Sequence, residues 1–375
     1  MNVPEQHVAR PSIFSVFLSI ELTGSRPFDA LLLAALVAIV LAVWGAAPLA
    51  VFLFAALGLI PMAAVLGQAT TVVAQRLGPL AAGLLDATLG NASELILGLV
   101  ALNAGLIAVV KASITGSIIS NVLMVLGLSM VVGGQGRKKQ RFNRRIATTN
   151  TTMLFLAAVG LIVPAVFSLG VYGKLSGDRA ELQALSLWTA AILILIYAIS
   201  LIFQLRTDAP AGVAPLRDPQ ARAPWRPALI TLVVATAVIA VLSELLVKEL
   251  GAAQQAFHGT DLFWGGVIFA LIGNAAEHGV AVAAARRDQM DLAMAISVGS
   301  SLQIALLLAP MLVFASLLLG HPMTLVFTAI EIVAVVLSVV MVAMIAADGE
   351  TNWLEGAQLI AVYAILVLAF YFVPA

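Results

Sequence analysis

Gly83-Leu-Leu-Asp-Ala-Thr-Leu-Gly-Asn-Ala-Ser-Glu94 decides how this chain is read, because a second version of it, Gly266 to Glu277, stands 183 residues further on. Aligned without a gap, Gly83 meets Gly266, Ala87 meets Ala270, Gly90 meets Gly273, Asn91 meets Asn274, Ala92 meets Ala275 and Glu94 meets Glu277. The same offset pairs Ala112 with Ala295, Gly116 with Gly299, Ser117 with Ser300 and Leu123 with Leu306. The correspondence therefore spans two consecutive apolar segments. Two Ala/Leu-rich helices matching by chance would not keep that polar pattern.

The chain around this repeat is 62% hydrophobic and 10% charged, with a mean hydropathy of +1.08. Soluble domains carry about 25% charged residues, so a polytopic membrane protein is expected. Nineteen basic and nineteen acidic residues cancel, and net charge gives no reason to expect a nucleic-acid partner. With no cysteine, disulfides and thiolate metal sites are excluded. The short apolar run Ile13 to Ile20, followed by Glu21, does not read as a cleaved signal peptide.

A membrane-spanning helix needs about 20 apolar residues. Ala30 to Gly67 is too long for one crossing, and Gly45-Ala-Ala-Pro48 divides it in two. Further spans read as Leu80–Asn103, Leu106–Gly133, Ala147–Leu169, Leu182–Phe203, Pro227–Leu246, Leu262–Ala285, Leu292–Leu319, Pro322–Ala347 and Trp353–Val373. The expected fold class is thus an all-α polytopic membrane protein with eleven transmembrane helices. Lys and Arg set its orientation. The N-terminus and alternate loops hold fifteen positives, six of them between Arg137 and Arg145, against Lys111, Lys174, Arg179 and Lys248 on the other side. The N-terminus is expected in the cytoplasm and the C-terminus outside; the basic run reads as a topology anchor.

The two copies fall on the third and eighth spans. An offset of five helices makes them cross in opposite directions, the inverted-repeat plan of many secondary transporters, with substrate near the midplane. The expected divisions are 1–47 (cytoplasmic N-terminus and an extra first helix), 48–205 (first five-helix repeat), 206–226 (cytoplasmic linker) and 227–375 (second, inverted five-helix repeat).

Glu94 and Glu277 are ionisable groups inside spans, where a carboxylate is costly and a functional candidate by default. A protonated, hydrogen-bonded Glu is the alternative, and the equivalent repeat positions weigh against it. Gly83, Ala87, Gly90 and Glu94 share a helix face, as do Gly266, Ala270, Gly273 and Glu277. Such small residues let helices approach closely. The Gly-Asn steps can loosen the helices and free backbone carbonyls, and Asn91 and Asn274 add side-chain oxygens. The fourth and ninth spans bring Ser117, Asn121, Ser300, Ser301 and Gln303, as further ligands or as interhelical hydrogen bonds. Two carboxylates among neutral oxygens suit a hard divalent ion, and calcium takes about six to eight oxygens. Two Glu neutralise one such ion or take a proton each, so metal and protons compete.

The stretch Gly83 to Ile96, Gly116-Ser-Ile-Ile-Ser-Asn121, Gly273-Asn-Ala-Ala-Glu-His278, Met290-Asp291-Leu-Ala with Gly299-Ser-Ser-Leu-Gln303, and Asp348-Gly-Glu-Thr-Asn-Trp-Leu-Glu-Gly356 resemble the calcium/proton exchanger family of the calcium/cation antiporter superfamily. The likeness runs from about Pro48 to the C-terminus. It implies eleven spans and export of Ca2+ from the cytosol in exchange for H+. Glu94 and Glu277 become the shared metal and proton sites, with Asn91, Asn274, Ser117, Asn121, Ser300 and Gln303 in support. Asp86 stands where the family usually has Asn, and a neutralised residue at a water-filled vestibule is the first reading of it. The stretch Gln204 to Arg226 has only two acidic residues, Asp208 and Asp218, so an acidic regulatory helix is not expected there. His278, beside Glu277, is a proton relay or an interhelical hydrogen-bonding group. Glu331, placed well inside the tenth span, is a candidate for gating or a proton path.

The expected activity is secondary antiport by alternating access, with no enzymatic step and no resident cofactor. Ca2+ and H+ are the substrates, the lipid bilayer the surroundings, and a homo-oligomer is compatible with the sequence. The compact chain is expected in a bacterial inner membrane, its C-terminus periplasmic. The alternative is Na+/Ca2+ exchange, or Na+ or K+ exchange for H+, within the same superfamily. The Gly-Thr-Ser-x-Pro-Glu motifs of the sodium/calcium branch are absent. An intramembrane enzyme would need a constellation such as His-Glu-x-x-His, also absent.

Overall fold

The computed structural model describes residues 26–77, 79–175, 177, 179–206 and 225–373. Its main helices are α1 (Arg26–Val43), α2 (Pro48–Ala74), α3 in two pieces (Pro79–Leu89 and Ala92–Asn103), α4 (Ile107–Gly133), α5 (Arg144–Tyr172), α6 (Ala180–Arg206), α7 (Trp225–Lys248), α8 (Asp261–Arg286), α9 (Met290–Leu318), α10 (Ala329–Ala346) and α11 (Trp353–Phe372). Among the described residues nine of these, α2 and α4 to α11, are long and apolar enough to cross a membrane. Shorter apolar helices are Leu31–Val43 within α1 and Ala92–Asn103 within α3. The linker expected at 206–226 and the first 25 residues lie almost wholly outside the described residues.

Local chemistry sets the helix ends. Gly45 takes φ +67° and Pro48 opens α2, which is where the long apolar stretch was expected to divide. Asn143 caps α5 by accepting from Ile146 N at 3.2 Å, and Gly173 closes it at φ +70°. Asn352 and Glu355 form a capping box on α11.

Helices α4 and α9 occupy the centre. In their most apolar stretches 83% and 67% of residues are buried, against 22% for α11. A side chain on Gly116 would put its Cβ 1.9 Å from the carbonyl oxygen of Gly266, so α4 meets α8 backbone to backbone. On another face α4 meets α11, where a Cβ on Gly356 would lie 2.6 Å from Gly127 O. Both central helices contain a π-helical turn, Ser120–Val125 in α4 and Ile304–Leu308 in α9. These turns nearly coincide in the 183-residue alignment. Such turns are frequent at functional sites.

At one end of the bundle a short ribbon joins distant loops. Gln140–Arg141 (β1) pairs antiparallel with Glu350–Thr351 (β2). Lys139 Nζ lies 2.5 Å and Arg141 Nε 3.2 Å from the Glu350 carboxylate, while Arg137 pairs with Asp288 at 3.4 Å. The basic run 137–145, read from sequence as an anchor, and the acidic turn at 348–350 thus hold each other.

Candidate functional site

The site starts from the break in α3. The expected single span Leu80–Asn103 is interrupted at Gly90–Asn91, where Asn91 leaves helical geometry (φ −102°, ψ 28°) and a new helix begins at Ala92. Glu94 then sits in the first turn of that helix, where the exposed amide ends favour negative charge. The matching step Gly273–Asn274 does not break α8, whose irregular turn comes earlier, at Trp264–Phe269. The loosening expected at both Gly-Asn steps therefore occurs at one.

Glu94 is 6% exposed. Its Oε2 lies 3.1 Å from Ser93 Oγ, a hydroxyl that also reaches Gly273 O on α8 at 3.1 Å. Its Oε1 is buried with no hydrogen-bond partner among the described residues. Asn91 donates through Nδ2 to Gln303 Oε1 at 2.5 Å, leaving its own buried Oδ1 in the same unpartnered state. Two acceptor oxygens, three residues apart at a helix break, thus lack a donor. Buried polar atoms are almost always satisfied, so this pair asks for a cation, a proton or an ordered water.

Glu277 is half-buried and accepts a short hydrogen bond from Ser300 Oγ. Asn274 is fully buried and ties α8 to α4: its Nδ2 donates to Ser117 Oγ at 2.9 Å and to Ala270 O at 2.9 Å, and its Oδ1 accepts from Asn121 Nδ2 at 3.2 Å. His278 Nε2 lies 3.1 Å from Asn121 Oδ1. An amide oxygen only accepts, so Nε2 carries the proton in this arrangement. Glu94, Asn91, Asn274, Ser117, Asn121, Ser300, Gln303, Glu277 and His278 are therefore brought together between α3, α4, α8 and α9. A cavity of about 10 Å³ lies against Glu94, lined also by Gly98, Ser113, Ser117, Leu308 and Leu312. That is room for about one water.

Two accessory candidates stand apart. Glu331 lies not in the interior of a span but in the first turn of α10, which begins at Ala329 rather than Pro322. It forms a capping box with Thr328 and accepts from Thr115 Oγ1 of α4 at 3.1 Å. Asp86 falls in the first piece of α3, and its side chain lies outside the described residues. Ser93 is a contact that repeat symmetry could not select, because its counterpart is Ala276. Among the described residues no group of three or more His, Cys, Asp or Glu is arranged to hold a metal. A cation here would have to be shared between two carboxylates and neutral oxygens.

A family model described as "Sodium/calcium exchanger protein" matches residues 47–206 and 227–372. The chain is 43% identical over 342 residues to a Ca(2+)/H(+) antiporter of Aphanothece halophytica, covering 86% of this chain and 90% of that one. It is 41% identical over 320 residues to the Ca(2+)/H(+) antiporter ChaA of Bacillus subtilis, covering 84% and 89%. Among solved structures, the selenium-substituted Ca2+/H+ antiporter protein YfkE matches with a TM-score of 0.81 at 35% identity, over 93% of this chain and all of the other.

Proposed function

The chain belongs to the sodium/calcium exchanger protein family, and on that premise we propose that it is a Ca2+/H+ antiporter in which Glu94 and Glu277 are shared by the cation and the protons. The observation that carries the reading is the pair of buried oxygens, Glu94 Oε1 and Asn91 Oδ1, at the break in α3, neither with a hydrogen-bond partner among the described residues. Names of close relatives, the antiporters of Aphanothece halophytica and Bacillus subtilis, agree with it.

Eleven spans form two inverted five-helix repeats, 48–205 and 227–375, behind an extra first helix. The basic loops face the cytoplasm of a bacterial cell. Cytosolic Ca2+ meets the deprotonated pair, with Glu277 the more accessible and Glu94 the more enclosed member. Glu94 Oε1, Asn91 Oδ1 and the Glu277 carboxylate supply oxygens, while backbone carbonyls released at Gly90–Asn91 and nearby hydroxyls complete a shell of the size calcium takes. Asn274 acts from the second rank, because its amide is spent on Ser117, Asn121 and Ala270. A rearrangement exposes the loaded site to the other side, protons displace the ion, and the neutralised pair returns. Coupling follows from charge: the site closes off from water cheaply, on its way from one side to the other, only when its two carboxylates are neutralised by one divalent ion or by protons.

The test uses purified protein in liposomes with an imposed pH gradient. Ca2+ should collapse the gradient, whereas a sodium gradient without a pH gradient should drive no Ca2+ movement. Ca2+ uptake driven by sodium alone would place the chain with the sodium-coupled exchangers instead.

A further inference from the structure

Two cavities flank the first half of α4. One is the 10 Å³ pocket at Glu94; the other, of about 270 Å³, is lined by Ile107, Lys111, Leu262, Val326 and Glu331 among others. Successive helical residues are set about 100° apart, so Val110, Ser113, Ile114 and Ser117, which line the small pocket, centre on one face, and Ala108 and Lys111, which line the larger one, on another. The helix itself is the partition between the two spaces.

That partition is fastened at two points. Lys111 Nζ donates to Val326 O at 2.9 Å and lies 3.4 Å from Thr324 Oγ1, which ties the connection between α9 and α10 to α4. One turn on, Thr115 Oγ1 reaches Glu331 Oε1 at 3.1 Å. The other Glu331 oxygen accepts from Thr328 N at 2.9 Å and Thr328 Oγ1 at 2.7 Å. Glu331 is 2% exposed and engaged through both oxygens, so it serves as a fastening rather than as an ion ligand. Thr115 stands two residues from Ser117, so any shift of this turn moves the site.

We propose that Lys111 and Glu331 are positioning residues for exchange: they pin the first turns of α4 against α10 and the 320–328 connection, keeping Glu94 closed off from the 270 Å³ cavity. The inference rests on the reading of Glu94 as the cation site.

The chain has no cysteine, so Ser113→Cys supplies a single reporter facing the small pocket. Its labelling by a membrane-impermeant thiosulfonate is measured in the purified protein. Lys111→Met should speed labelling by about tenfold, the factor expected on losing one hydrogen bond from a charged donor. Lys111→Arg, which keeps a charged donor, should stay near the parent. Equal rates in Lys111→Met and the parent overturn the proposal, as does an Arg variant that labels as fast as the Met variant. A Ser243→Cys control, buried on α7, reports general loosening; an equal acceleration there also overturns it. Calcium binding to Glu94→Gln is titrated separately, so failure of the cation-site reading is seen independently of the labelling.

Discussion

Glu94 of α3 lies directly against Gly273 of α8: a Cβ at position 273 would come within 2.9 Å of the Glu94 Cγ. The first copy of the repeated motif thus inserts its carboxylate where the second copy has no side chain. Gly273→Ala meets the flexible stem of Glu94 rather than backbone, so the helices can stay in place while the carboxylate is displaced. The variant should fold and insert normally but exchange Ca2+ about tenfold more slowly, a loss of ~1.4 kcal/mol. Transport at the parental rate would show that the contact does not set the Glu94 position.

Gly116→Ala should behave differently. Its new Cβ would lie 1.9 Å from Gly266 O, a backbone atom between two packed helices that has nowhere to go. Overpacking of this kind costs about 1–3 kcal/mol, or more where backbone must shift. The expected result is a lower thermal midpoint and poor yield of folded protein, read by size-exclusion profile, in contrast to the folded but slow Gly273→Ala.

Asn274→Ala removes the amide that joins Ser117, Asn121 and the Ala270 carbonyl. It leaves buried partners unsatisfied, at about 1–3 kcal/mol for such a group. Both stability and exchange should fall. Among the described residues, Asn91→Ala frees only Gln303 and deletes an oxygen that has no donor; calcium affinity should drop there with a smaller change in thermal midpoint. Steady-state transport against Ca2+ concentration, set beside melting curves, separates the two.

The ribbon pair predicts a pH window. The hydrogen bond from Lys139, and then its charge, holds the Glu350 carboxyl below its ordinary 4.5. The same hydrogen bond raises Lys139 above its ordinary 10.5. A lowered acid gives stability that is present above its ordinary value and lost as pH falls through the lowered one. A raised base gives stability that is present below its ordinary value and lost as pH rises through the raised one. The difference in melting temperature between the parent and Glu350→Gln should therefore be widest between those limits and shrink towards either extreme. Lys139 is exposed and Glu350 half-buried at the solvated ribbon, so the difference should be small and should shrink in high salt.

Much of the candidate site was legible because the repeat alignment works on polar residues: it selects Asn91, Glu94 and Ser117 with Asn274, Glu277 and Ser300, which the structure draws to one place between four helices, whereas Asn121, Gln303 and His278 have no matching counterpart. The alignment could not find Ser93, whose partner position is Ala276, nor tell that Gly90–Asn91 breaks its helix while Gly273–Asn274 does not. Glu331 was misplaced for a physical reason. A hydropathy reading carries the span back to Pro322, but Gly320 adopts φ +74° and the helix waits for the cap at Thr328. Thr328-Ala-Ile-Glu331 is a capping box that the sequence displays and hydropathy cannot see. Lys111, tallied with the positives of the outer side although the expected span Leu106–Gly133 already contained it, lies one turn into α4, and its ammonium is met by a carbonyl of the α9–α10 connection.

The central claim is that Glu94 and Glu277 carry both ion and proton. Calcium-driven proton movement in everted vesicles, compared for the parent, Glu94→Gln and Glu277→Gln at matched levels of folded protein, tests it most directly. Both variants should lose the movement entirely while keeping the parental size-exclusion profile. Full activity in either one would contradict the account.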